Sequence, residues 1–252
     1  MREAAQWVRS ALFVAQMYAA LVLFALAYAP AAIRSADGAV RGFHAYCRWV
    51  RRSAAAMVGL RSEVRGPVPR GEALIAAKHQ SFFDIIILMS ALPRPRFVMK
   101  AEIARIPVVG WYARRIGCIP VERGRRGAAI AAMLAELRAG RTAPGQLVIY
   151  PQGTRVAAGA DLPYKAGVAA IQAQTGLPCI PAATNVGVFW PRRGLMRRPG
   201  LAVVEFLPPL APGLPPEALL SALRDRIEGA SDALMAEAGF RVPATKALQP
   251  GD

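Results

Sequence analysis

Histidine is almost absent from this 252-residue chain, with only His44 and His79 present. Cysteine is nearly as scarce: Cys47, Cys118 and Cys179 stand far apart among apolar neighbours. That number and spacing exclude a disulfide framework and a cysteine-based metal site, and read as buried free thiols in a reducing compartment. Acidic residues are half as numerous as basic ones, 16 against 32, leaving a formal charge of +16 that is nearly all arginine. Aromatics make up only 8%, the arginines are scattered, and no zinc-finger or RNP-like spacing occurs. A nucleic-acid partner is therefore not expected. No internal repeat is apparent.

What the chain has in quantity is apolar and cationic. Hydrophobic residues reach 54%, and this combination suits a partner that is itself greasy and anionic, such as a phospholipid surface. From Ser10 to Ile33 no charge occurs ("SALFVAQMYAALVLFALAYAPAAI"). As a helix this run would extend about 36 Å, against about 30 Å for a hydrocarbon core. A cleaved signal peptide fits poorly, because the one small-x-small site, Ala27-Tyr28-Ala29, is followed by Pro30. Basic residues flank the run on both sides, so the positive-inside rule does not favour a clean single crossing. With the amphipathic stretch "GFHAYCRWVRRSAAAMVG" behind it, a helical hairpin in one leaflet is the alternative to spanning.

The Gly/Pro-rich segment "GLRSEVRGPVPRG" marks a boundary. Beyond it short apolar strands ("EALIAAK", "RFVMK", "CIPV", "QLVIY", "PCIPAAT", "LAVVEFL") alternate with helical stretches ("SFFDIIILMSAL", "VVGWYARRIG", "GAAIAAMLAELRAG", "AGVAAIQAQTG"). A last amphipathic helix runs from about Pro216 to Ala238. This alternation predicts an α/β fold, a mostly parallel sheet flanked by helices. The expected division is 1–60, N-terminal membrane-anchoring helices; 61–241, the α/β domain; 242–252, a flexible tail.

Within "KHQSFFD" His79 precedes Asp84 by five positions, directly after a strand. On one continuous helix the two would diverge by about 140°. They meet if His79 lies in the strand-to-helix turn and Asp84 in the first helical turn, with Ser81 as the N-cap. A carboxylate on one ring nitrogen fixes the tautomer and leaves the other free to take a proton from a hydroxyl. No G-x-S-x-G elbow surrounds Ser81 or Cys118, which argues against a covalent nucleophile. His44 lacks a carboxylate at useful spacing and is read as packed or interfacial. The segment "FWPRRGLMRR" is read either as a second lipid contact through Phe189 and Trp190 or as a surface loop with a tucked tryptophan. Glu122 beside Arg123 is read as a local ion pair.

"KHQSFFD" resembles the N-H-x4-D block of the 1-acylglycerol-3-phosphate acyltransferase family of glycerolipid acyltransferases. Three further blocks follow in that family's order. "MKAEIARIPVVGWYARRIGCIPVERG" is similar to its second block, "VIYPQGTR" to its F-P-E-G-T-R block, and "GLPCIPAATN" to its V-P-I-V-P-V block. The resemblance covers roughly residues 60–230. Two positions depart from it: Lys78 stands where asparagine is usual, and Gln152 where glutamate is usual.

The resemblance implies acyl transfer from acyl-CoA or acyl carrier protein to the free hydroxyl of 1-acyl-sn-glycerol-3-phosphate, giving phosphatidic acid. His79 would be the base and Asp84 its orienting partner. Lys100, Arg123, Gln152, Gly153, Thr154 and Arg155 would bind substrate. A thioester is already activated, so no cofactor or metal is expected. The partners are a phospholipid membrane, a lysophospholipid acceptor and the acyl donor, with the inner membrane's cytoplasmic face as location. Gln152 alters the charge expected at the acceptor pocket and keeps open another lysolipid acceptor, such as lyso-ornithine lipid. A non-catalytic basic lipid-binding protein is the alternative from another class.

Overall fold

The computed structural model describes residues 2–122, 144–244 and 247–248, with isolated positions between 131 and 139. The helix expected over 127–140 and the pairing of Glu122 with Arg123 lie outside the described residues.

The uncharged run forms helix α1 (Arg2–Arg34), which folds back into α2 (Ala36–Val58). The reversal is tight for identifiable reasons. The Ser35 side chain accepts the Gly38 N–H at 3.0 Å and caps α2. A β-carbon at Gly38 would fall 2.0 Å from the Ala31 carbonyl oxygen, so only glycine lets the helices close. Along α2, Ala39, Gly42, Tyr46, Val50, Ala54 and Val58 recur every three or four positions and are buried. Arg41, Arg48 and Arg52 occupy the exposed side. The hairpin foreseen from sequence is present, but α2 is a layer of the folded body, packed on α1, α3 and the sheet.

Seven strands form the main sheet: β1 (Leu60–Arg65), β2 (Ala73–Ala77), β3 (Pro95–Lys100), β4 (Ile119–Val121), β5 (Gln146–Ile149), β7 (Cys179–Thr184) and β8 (Gly200–Phe206). Their order is β1-β8-β7-β2-β5-β3-β4. From β7 to β4 the strands are parallel, while β8 runs antiparallel to β7 and carries β1 parallel to itself. The expected mostly parallel α/β sheet is therefore present, with a reversed pair at one edge. β1 corrects the reading of "GLRSEVRGPVPRG" as a boundary alone. Arg61 and Glu63 point outward from an edge strand, and their charges mask a period-two pattern. Two residues, β6 (Ala160–Asp161), pair with β9 (Ala247–Leu248), so the segment read as a loose tail touches the body.

Helix α3 (Phe82–Ala91) covers one face of the sheet together with α2. Helices α5 (Gly167–Thr175) and α7 (Pro216–Glu237) cover the other. The central strands alternate between two cores: Ile75 and Val148 pack toward α3, Leu74, Leu147 and Ile149 toward Ile171, Leu223 and Ile227. Between β3 and β4 lie a 3-10 turn (Ala101–Arg105) and α4 (Val109–Arg115); a single helical turn, α6 (Val186–Phe189), follows β7.

Trp190 is tucked, not lipid-facing. It is 3% exposed, stacks on Phe83 at 5.2 Å, meets Phe13 edge-on at 5.6 Å and lies under the Arg197 guanidinium at 4.1 Å. Most of the exposed large apolar side chains lie along α1 (Trp7, Leu12, Val22, Leu23, Leu26 and Ile33 among them) and at Val108 beside it; the others are Trp49 on α2, Phe82 at the start of α3, Ile106 and Trp111.

Candidate active site

Where β2 ends, the chain makes the strand-to-helix turn anticipated from sequence. The Lys78 N–H donates to the Ala182 carbonyl at 2.8 Å, extending the ladder by one residue. Ser81 then caps α3, its hydroxyl accepting the Phe83 N–H at 3.2 Å. Asp84, at the third helical position, reciprocates: its Oδ2 accepts the N–H groups of Ser81 (2.7 Å) and Gln80 (2.8 Å). This is a capping box in which the acid is aspartate.

The other oxygen of Asp84 is what builds the site. Oδ1 receives His79 Nδ1 at 2.8 Å and the Tyr150 hydroxyl at 3.2 Å. An ionised carboxylate only accepts, so Nδ1 carries the hydrogen and the lone pair resides on Nε2. Asp84 is fully buried, while His79 keeps 11% of its side chain exposed. The pair thus has a fixed orientation and an outlet to solvent.

Tyr150 closes β5, the neighbour of β2, and its ring lies 3.9 Å from the His79 ring, nearly parallel. Burial, and then the charge of Asp84, push the Tyr150 phenol well above its ordinary range. It stays a neutral donor. Sequence reading missed Tyr150. Its only signal was its place at the mouth of "QLVIY", and that β5 adjoins β2 is a fact of sheet order.

The "PQGTR" turn follows directly. Gly153 has φ 72 and donates its N–H to the Tyr150 carbonyl at 2.8 Å. A β-carbon there would lie 2.7 Å from Lys165 Nζ, so this lysine, also missed from sequence, brings a cation to the turn. The Val156 N–H donates to the His79 carbonyl at 2.7 Å, lacing the third block to the first. Thr154 is buried, and Arg155 is exposed with one guanidinium nitrogen 3.4 Å from the Arg192 carbonyl.

Three expected binding residues stand differently. Gln152 is 2% exposed and donates its amide to the Leu162 carbonyl at 3.1 Å. It is turned into the protein, because a carbonyl oxygen needs a donor and an amide, unlike a carboxylate, supplies one. Lys100 lies at the end of β3, across β5 from β2, and its ammonium pairs with Glu102 at 3.0 Å outside the His79 cluster. Arg123 lies outside the described residues.

Other candidates take structural places. Lys78 is 2% exposed, and its ammonium is 2.6 and 2.8 Å from the two carboxylate oxygens of Glu228 on α7. The Tyr164 hydroxyl donates to the same carboxylate at 3.1 Å. All three cysteines are free and buried; burial pushes the Cys118 thiol up to about 11, which leaves it unreactive. His44 is packed, its Nε2 3.0 Å from the Leu92 carbonyl. Among the described residues no cluster of three or more His, Cys, Asp or Glu side chains forms a metal site.

Comparison with known proteins sets the chain beside acyltransferases. Residues 61–185 match the Acyltransferase family model. The chain is 29% identical over 195 residues to the 1-acyl-sn-glycerol-3-phosphate acyltransferase of Pseudomonas aeruginosa, covering 76% of each. It is 33% identical over 153 residues to the lyso-ornithine lipid O-acyltransferase of Rhodobacter capsulatus, covering 58% of this chain and 54% of that one. Its fold matches the crystal structure of the 1-acyl-sn-glycerophosphate acyltransferase of Thermotoga maritima, with TM-score 0.77 and 18% identity over 94% of this chain and all of that one.

Proposed function

We propose that this chain is an acyltransferase of the H-x4-D glycerolipid type, supported by the family-model match and the relatives above, and that it esterifies the free hydroxyl of 1-acyl-sn-glycerol-3-phosphate at a bilayer surface, giving phosphatidic acid. The acyl donor is a thioester, acyl-CoA or acyl carrier protein, and the reaction uses no cofactor or metal. The observation that carries this reading is the 2.8 Å contact of His79 Nδ1 with Asp84, which leaves Nε2 as the base.

In the mechanism, Nε2 takes the acceptor hydroxyl proton as the oxygen attacks the thioester carbonyl. Asp84 steadies the resulting imidazolium. Collapse of the tetrahedral intermediate breaks the C–S bond, and the departing thiolate recovers the proton from His79. The acceptor phosphate is held by the cations of the Gly153 turn, Arg155 and Lys165, with Gly153 letting the ligand approach backbone N–H groups. Lys100, at the end of β3, is a more distant cation of the same substrate path, and Arg123 keeps its substrate-binding role on the resemblance of its block alone.

The bilayer is contacted by the outer side of α1, whose exposed apolar residues run its whole length. The helix is long and apolar enough to span, yet α2 lies alongside it with Arg41, Arg48 and Arg52 outward. A crossing would carry these charges into hydrocarbon, so α1 lies in one leaflet. Residues 1–60 then anchor the 61–241 enzyme domain to the cytoplasmic face of the inner membrane.

Purified protein in detergent should consume an acyl thioester only when lysophosphatidate is supplied, and His79→Ala should abolish turnover. Near-normal turnover in that variant would sink the mechanism. A second acceptor, lyso-ornithine lipid, is favoured by the likeness to the Rhodobacter enzyme. In a panel of lysolipids, higher activity on it than on lysophosphatidate would move the assignment.

A further inference from the structure

At the opposite end of the sheet from His79 lies a second concavity, of about 360 Å³, lined by Arg94, Arg96, Arg114, Arg115, Trp111 and Asp37 among others. Arg96 is level with Leu74 of β2 through β5, and His79 comes five residues later. That places the two sites about 16 Å apart along the strands, at opposite ends of the inner strands. Nothing in the acyl-transfer mechanism uses this cavity.

Its charge is lopsided. Among the described residues four guanidiniums line it against one carboxylate, Asp37, with Glu72 acting on Arg96 from nearby, so the balance stays positive. Three of the arginines are already partly engaged. Arg94 pairs with Asp37 at 2.9 Å, Arg114 donates to the Ala104 carbonyl, and Arg115 donates to the Ala32 and Ile33 carbonyls at 2.9 and 2.7 Å, closing the end of α1. A guanidinium has five N–H donors, so Arg94, Arg114 and Arg115 keep donors beyond these contacts. Arg96 is only 7% exposed, and burial lowers its pKa, the mark of a cation held from water at some cost.

The surroundings identify the kind of anion. Ile33, on the last turn of α1, is exposed, and its carbonyl is bound by Arg115 of the cavity wall. Trp111 lines the cavity and is partly exposed. The apolar track of α1 therefore runs up to the rim of an arginine pocket, with an indole at the junction, as at a membrane–water interface.

We infer that this cavity binds the phosphate of an anionic phospholipid, its acyl chains lying along the α1 track, as a site separate from the acyl-transfer centre. The phosphate is the shared chemistry with any soluble phosphate ester; the lipid as its source rests on the one-leaflet reading of α1. The volume suits a headgroup, and bidentate guanidinium–phosphate pairing supplies the recognition.

The test is flotation of the full-length protein with phosphatidylcholine vesicles, with and without phosphatidylglycerol. Wild type should bind the anionic vesicles more tightly. Arg94→Gln/Arg114→Gln should lose that preference by roughly tenfold or more, against a few-fold for Arg41→Gln/Arg48→Gln on α2. Arg114→Gln alone leaves the Asp37 pair intact and should show an intermediate loss. Thioester consumption in detergent should be unchanged in all three, so failure here is separable from failure of the catalytic reading. Equal losses in the two double variants would mean delocalised charge attraction and overturn the site. If inorganic phosphate or glycerophosphoglycerol raises the melting temperature of wild type but not of Arg94→Gln/Arg114→Gln, while vesicle affinity is the same in both, the ligand is soluble and the lipid assignment falls.

Discussion

Tyr150 and His79 lie face to face with ring centroids 3.9 Å apart, and both donate to the same oxygen of Asp84. One carboxylate oxygen thus sets the base's tautomer while a neutral phenol fixes its plane. Tyr150→Phe keeps the stack and removes one hydrogen bond. It is expected to cost about 1 kcal/mol of stability and less than tenfold in kcat. Tyr150→Ala also frees the imidazole and should cost about 3 kcal/mol with a much larger kcat loss, measured by melting and initial rates.

Asp84→Asn tests a residue with two duties. The amide can keep one acceptor for the Gln80 and Ser81 N–H groups, but it no longer enforces hydrogen on Nδ1. Turnover should fall about 10³-fold, with a measurable loss of helix-cap stability of about 1 kcal/mol. A full loss of cap stability with unchanged kcat would show Asp84 to be structural only.

The buried Lys78–Glu228 pair ties the end of β2 to α7. Removing one partner strands the other charge. Glu228→Gln should destabilise by about 3 kcal/mol in chemical denaturation, while Lys78→Met/Glu228→Leu should recover much of that loss. Acceptor selectivity should not change in the double variant.

At Gly153 the backbone is left-handed, and Lys165 occupies the space a methyl would need. Gly153→Ala should cost about 1 kcal/mol and displace the ammonium. KM for the lysolipid should rise more than kcat falls, and Lys165→Ala should reproduce the KM effect alone.

His44 carries a pH consequence. Burial lowers its pKa from the ordinary 6.5, opposed by the Leu92 carbonyl contact. The unfolded chain therefore takes up the proton first as pH drops below about 6.5, and the folded state loses stability there. The contribution is intact above that pH. Replacing it by His44→Gln should flatten the fall in melting temperature between pH 7 and 5.

Much of the chemistry was readable before any coordinates. The strand, turn and helix around His79 follow from local pattern: an apolar run, Ser81 at the cap and an acid three residues on. The antiparallel edge was not readable as such. β1 hides its period of two under exposed charges, and its direction is set by the distant β8. Trp190 beside arginines fits both a lipid contact and a tucked tryptophan, and whether the side chain meets lipid or Phe83 is decided by what folds over it.

The sequence by itself determined the pairing of His79 with Asp84, the glycine turn and the apolar hairpin, because each depends on spacing within one or two elements. Only the tertiary structure decided that Tyr150 braces the histidine, that Gln152 faces inward, that Lys78 is neutralised by α7 and that four arginines converge at the far end of the strands. Those are contacts between residues up to 150 positions apart, and no local periodicity carries sheet order or the burial that brings such groups together.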